Sequence, residues 1–277
     1  MEVDVLSSIK ELYKYRALVH VLVSRDLKAR YRGSVLGFMW SMLNPFLMML
    51  VYWLVFSIYL RNGMLNYHVY LFCGLLPWLW FSASLLEGCN SIIAGSNLVK
   101  KVMFPAEILP LVVILSNLIH FFLGLPILIA FLVVYKVPIG VNILAFPLLI
   151  VIQFVFTFAL MLLLSALSVH LRDIQQILNN LVTLWFFMSP IVYSLNDLNL
   201  DSKPPIISIV MNLNPMKHIM VGYHRVFLQK MGNQGALPFD HPLPWIGLAG
   251  VGVFSILLLV FAWKVFNYFK TGFSEEI

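Results

Sequence analysis

From Gly33 through Leu60 the chain carries no charged side chain, and just before that stretch Arg25, Lys28, Arg30 and Arg32 fall within eight residues. About 20 consecutive apolar residues are needed to cross the roughly 30 Å hydrocarbon layer of a bilayer. Runs of that kind recur at 36–60, 69–95, 108–134, 143–169, 177–195 and 243–266. They predict an all-α integral membrane protein with six transmembrane helices in one domain over 1–277. Composition agrees: 61% of the 277 residues are hydrophobic and 11% charged, against about 25% charged in soluble domains. Pro45 lies inside the first run, and a helix starting there would reach only about 24 Å by Leu60. The first span is therefore expected to begin near Leu36 and to bend at Asn44-Pro45.

Orientation follows from cations, which are retained on the cytoplasmic side. With the N-terminus inside, that side receives twelve of the 18 Lys and Arg residues and the other side six. Both termini are thus expected in the cytoplasm. The net charge of +6 accompanies apolar spans rather than a nucleic-acid module, so anionic membrane lipids are the expected partners and nucleic acid is not. No cleavable secretory signal is expected, since the first long apolar run begins after about 35 residues and lacks a small-residue cleavage site. Cys73 and Cys89 share the second span, about 24 Å apart along a helix, and cannot pair.

Outside the spans, residues 5–32 have helical periodicity, with Val5, Ile9 and Leu12 on one stripe, which suggests a helix along the inner interface occupying 1–34. Arg25, Lys28 and Arg32 fall on one face of it, and Asp26 with Arg30 form an i,i+4 pair. Residues 196–242 form the longest interruption before the last span, and 267–277 a tail. Within the interruption, 204–213 is too short to cross, and Asn214-Pro215 suit an N-cap and first helical position. Met216, Met220, Tyr223 and Phe227 then share a face, with Lys217, His224 and Arg225 away from it. A pair of short helices dipping into the outer leaflet fits this pattern, and so does an amphipathic surface loop.

Several chemistries are excluded by absence. There is no GxxxxGK[ST] phosphate loop, no HExxH and no GxSxG, so neither nucleotide binding nor a catalytic centre is expected in this chain. The seven histidines form no ligand cluster in sequence, and no metal site is expected. Glu87 with His120 offers a proton relay, and hence a secondary transporter, while Asn90, Asn117 and Gln153 suit interhelical hydrogen bonds. Tyr52, Phe56 and Tyr59 share one face of the first span, and Trp185, Phe186 and Phe187 lie in the fifth. These fit either an interfacial aromatic belt or a lining on which sugar rings slide. The basic loop NLVKKVMFP, 97–105, and the turn around His170, Arg172 and Asp173 are either topological anchors or docking contacts for a cytosolic partner.

Four stretches, RDLKARYRGSVLGFMWSMLNP (25–45), NLVKKVMFPAEILP (97–110), LRDIQQILNNLVTLWFFMSPIVYS (171–194) and LNPMKHIMVGYHRVFL (213–228), resemble in order and spacing the membrane subunit of ABC-2 type polysaccharide exporters. This family includes O-antigen and teichoic-acid permeases. The resemblance implies a homodimer in the bacterial plasma (inner) membrane, bound to two copies of a separate ATPase that holds ATP and Mg. It implies a cargo of undecaprenyl-diphosphate-linked polysaccharide, with O antigen ahead of teichoic acid or capsule. The implied site residues are Asn97, Leu98, Lys100, Lys101, Phe104, Pro105, His170, Arg172 and Asp173 for ATPase coupling, and Tyr52, Phe56, Tyr59, Trp185 and Phe187 along a conduit between the first and fifth helices. Asn214, Pro215, Tyr223 and Arg225 would belong to a re-entrant outer hairpin. Arg25, Lys28, Arg30 and Arg32 would attract the anionic diphosphate headgroup.

Overall fold

The structure is a computed structural model that describes residues 12–59, 64, 66–96, 98, 105–171, 173–195, 204–228 and 243–273. Helices and their connecting turns account for these residues, with no strand among them. Among the described residues, five stretches are long and apolar enough to cross a membrane: Gly37–Tyr59, Tyr67–Cys89, Ile108–Val134, Val141–His170 and Trp245–Lys270. They match the first, second, third, fourth and last predicted spans.

The chain opens with α1 (Arg16–Arg30), whose Val19, Leu22 and Val23 are buried against Ile108 and Val112. The apolar stripe of the interface helix is thus absorbed by a neighbouring helix. Val5 and Ile9 of the predicted stripe lie outside the described residues. After α1 the backbone turns through Gly33 (φ +79) and Gly37 (φ +49). Both sit in the left-handed region, which costs other L-residues about 1–2 kcal/mol. The elbow therefore exists because glycine stands at both positions. A 3-10 turn, Gly37–Met39, leads into α2 (Trp40–Trp53), which contains Pro45 and ends in a wide π-helical turn, Leu54–Tyr59.

α3 (Tyr67–Cys89) is the central post, packed against α2 and against α4 (Ile108–Val134) and α5 (Phe146–His170). It ends at Cys89, earlier than the predicted 95, because the backbone breaks at Asn90 before a short turn of helix, Ser91–Ala94. The last helix, α9 (Trp245–Lys270), runs along α5.

The predicted fifth span departs most from expectation. Helix α6 (Ile174–Met188) stops at Ser189, so it rises only about 22 Å. Pro190 explains the stop, because a residue before proline is driven out of the helical region; Ser189 has ψ 143. The chain nevertheless continues along α3. Gln175 Nε2 donates to the Leu86 carbonyl (3.2 Å) near one end of α3, while Tyr67 and Tyr70 at the other end donate to the carbonyls of Val192 (2.8 Å) and Tyr193 (2.8 Å). The phenols thus donate to carbonyls of the non-helical segment that follows α6.

Helices α7 (Pro205–Leu213) and α8 (Pro215–Phe227) meet at Asn214. Unlike a surface amphipathic helix, α8 is enclosed nearly all round. Met216, Met220 and Tyr223, which share one face, are fully buried, and so is His224 from outside that face, which stacks on Tyr70 with ring centroids 4.0 Å apart and planes at 10°. Gly74 makes room for that ring, since a Cβ there would lie 2.9 Å from His224 Nε2.

Candidate functional site

The cationic collar divides into two parts. Arg30 faces inward. Its Nε donates to Asp26 (3.0 Å), and its two terminal nitrogens fork onto the Glu87 carboxylate at 2.9 and 2.6 Å. Asn117 completes the cluster, accepting from Arg30 (3.2 Å) and donating to Glu87 (2.8 Å). Burial alone would lower the Arg30 pKa, but the hydrogen bond and charge of Glu87, followed by the charge of Asp26, hold it above its ordinary value. This bidentate geometry is the strong form of carboxylate recognition. It joins the end of α1 to α3 and α4.

Beside it, His120 is hydrogen-bonded to the Tyr31 hydroxyl, and its Nδ1 lies 2.8 Å from the Ser116 carbonyl. A carbonyl only accepts, so Nδ1 carries the proton and Nε2 accepts from Tyr31. Glu87 and His120 both border a cavity of about 530 Å³ that Trp40, Asn44 and Trp80 help to line. Each is committed to another partner, Glu87 to Arg30 and His120 to Tyr31.

Lys28 and Arg32 turn the other way, and Arg25 borders both sides, since it also lines a cavity with Asp26, Arg30 and Glu87. With His20 and Ser24, all three line a shallow groove of about 630 Å³ along α1, and no carboxylate among the described residues lines it. The i, i+3, i+7 spacing places them there, as the helical period requires. This groove presents three positive charges, whereas the Arg30 cluster combines one guanidinium with two carboxylates.

Between the first and fifth helices, Tyr52 and Phe187 line a cavity of about 190 Å³, together with Trp78 and Phe186. Tyr52 stacks on Phe186 at 5.2 Å, and Phe56 is Tyr52's neighbour along the helix at 6.4 Å. Tyr59 is exposed near the far end of the same span. Trp185 is not part of this cleft. It packs between Phe81 (5.2 Å) and Phe156 (6.2 Å), and its indole N–H donates to Asn214 Oδ1 (2.7 Å). The aromatic run of α6 therefore splits, with Phe187 facing outward and Trp185 facing the hairpin.

Asn214 serves several segments at once. Its Oδ1 caps α8 by accepting from Met216 N (3.0 Å), while its Nδ2 donates to the Met188 carbonyl (3.2 Å) and Ser189 Oγ (3.1 Å). Pro215 follows at the first helical position, Tyr223 is buried, and Arg225 is half-buried, its carbonyl accepting from Asn142 (3.2 Å).

Of the predicted coupling residues, Asn97, Lys100, Lys101, Phe104 and Arg172 lie outside the described residues. Leu98 packs against the α1–α4 apolar cluster, Pro105 precedes the turn into α4, His170 ends α5 and Asp173 precedes α6. Sequence reasoning missed Asn117 as a partner of Arg30, and it set His224 apart from the Met216–Phe227 face although His224 is equally buried.

Residues 17–228 match the ABC-2 type transporter family. The chain is 41% identical over 269 residues to the O-antigen export system permease protein RfbA of Myxococcus xanthus, covering 97% of this chain and 98% of that one. It is 30% identical over 259 residues to the protein of the same name from Klebsiella pneumoniae, covering 93% and 94%. With the family match covering most of the chain and both alignments running nearly end to end over an all-helical bundle with five bilayer-length stretches, this chain belongs to the ABC-2 type transporter family, as a permease subunit and not an enzyme.

Proposed function

We propose that the chain forms the membrane conduit of an ATP-driven exporter that moves lipid-linked O antigen from the cytoplasmic to the outer side of the bacterial inner membrane. The observation that carries this reading is the near end-to-end similarity to permeases named for O-antigen export. The active unit is a homodimer with two copies of a separate ATPase, which supplies ATP and Mg chemistry that this chain has no motif for. The chain crosses the membrane six times, the fifth crossing being made by α6 together with 189–195. An even number of crossings fits two ion pairs, Arg30 at the end of α1 with Glu87 near the end of α3, and Lys270 at the end of α9 with Glu107 before α4, and both termini face the cytoplasm.

Helices α7 and α8 form a hairpin re-entering from the outer face. Its backbone break at Asn214 is tolerable in a membrane because protein groups satisfy it. Residues 97–105 and 170–174 dock on the ATPase. The diphosphate headgroup meets Arg25, Lys28 and Arg32, and Arg30 acts as the internal tie. The glycan then passes through the cleft bordered by Tyr52 and Phe187, with Phe56 next along the helix from Tyr52, where aromatic faces offer contact without directional trapping.

The test is complementation. In cells deleted for their own O-antigen permease, this chain and its ATPase are expected to restore surface O antigen, and an ATPase with an inactivated phosphate loop is not. Reversing Arg25, Lys28 and Arg32 together is expected to cut export about tenfold or more, with the protein still in the membrane. Accumulation of both subunits with no surface O antigen would refute the export reading.

A further inference from the structure

Glu107 is 4% exposed and stands in the turn that closes the loop after α3 and opens α4. Both its carboxylate oxygens accept from Lys270 Nζ, at 3.0 and 3.1 Å, and Lys270 is the last residue of α9. A carboxylate this enclosed is tolerated when its partner is present and becomes strongly unfavourable when it is removed. One position earlier on α9, the Phe269 ring meets His170 edge-on, with centroids 4.6 Å apart and planes at 62°. His170 is the last residue of α5, just before the turn into α6. Two consecutive residues at one helix end therefore touch the flanks of both cytoplasmic loops. Beyond them, Phe273 is buried against Phe266, which holds the turn after α9 to the same helix.

We propose that the inner end of α9 is a yoke: Lys270 through Glu107, and Phe269 through His170, join the two ATPase-docking elements so that they move as one body. The proposal rests on the export function above and adds positioning residues to it. A single helix end holding both loops converts a push on either into displacement of the last span and of α5, along which it is packed. Without the yoke, each loop yields locally, and ATP is hydrolysed with less cargo moved.

The test uses the complete complex with its ATPase in vesicles containing the lipid-linked glycan, recording ATP hydrolysed and glycan translocated together. For Lys270→Met and for Phe269→Ala, hydrolysis is expected to stay within about twofold of the parent while glycan per ATP falls about tenfold. Exchanging the charges, Lys270→Glu with Glu107→Lys, is expected to recover most of the ratio. Where Lys270→Met does not accumulate, Lys270→Arg keeps the charge, alters the geometry and is expected to lower the ratio about threefold. An unchanged ratio, or a parallel fall of hydrolysis and transport, overturns the yoke. Failure of the unaltered complex to move glycan refutes the export function itself, which separates the two outcomes.

Discussion

The first and second spans are each 23 residues long with a mean hydropathy of 1.7, yet 11% of the apolar stretch of one is buried and 78% of the other. Equal grease therefore does not mean equal position. What separates them is detail on the helix surface. α3 carries Gly74 and Gly88 where neighbours press close, and Tyr67, Tyr70 and Trp80, whose polar tips donate to carbonyls of other segments. The first span exposes Leu47, Val51, Leu54 and Ile58 along one side. In lipid, where apolar surface gains little from hiding, close packing and hydrogen bonds decide which helix sits inside. The second span is thereby a largely enclosed post, and the first a helix attached along one side and entered through the Gly33–Gly37 elbow.

The sharpest way to break this contrast is in α3. Phe81 is fully buried, stacked on Phe156 at 5.9 Å and edge-on to Trp185 at 5.2 Å. Phe81→Ala should cost about 3 kcal/mol, seen as lost accumulation in membranes and a lower thermal midpoint in detergent. At the elbow, a Cβ on Gly37 meets nothing within 4 Å, so Gly37→Ala exposes the backbone term alone. A loss of about 1–2 kcal/mol is expected, with export falling because the first span is re-aimed. The mildest change is Val51→Ala on the exposed face (58% exposed). Its thermal midpoint should move by less than about 0.5 kcal/mol in equivalent stability. A loss as large as that of Phe81→Ala would show that the face is covered in the assembled protein.

The helices were legible because a bilayer demands length and hydropathy, and the N-cap at Asn214 because local chemistry sets it. The Arg30 cluster was not: Glu87 lies 57 residues away and Asn117 87, so only the i,i+4 partner Asp26 could be read from spacing. The break in the fifth span was readable in principle, since Pro190 follows Ser189 inside the run, but hydropathy alone passes over it. His224 defeated the amphipathic pattern because a histidine stacked on Tyr70 is as well accommodated inside as an apolar ring. The split of Trp185 from Phe187 depends on where Asn214 lies, which no local signal reveals.

One side-chain amide, that of Asn214, joins the end of α6, the turn after it and the start of α8. Asparagine ages fastest when the nitrogen of the following residue attacks the side-chain carbonyl and closes a succinimide ring. Here that nitrogen belongs to Pro215, which has no hydrogen to lose. The residue that starts α8 thus also protects the amide from slow conversion to aspartate. Such a conversion would remove the donors facing the Met188 carbonyl and Ser189 and put a negative charge among them. The junction is built to last chemically as well as to hold mechanically.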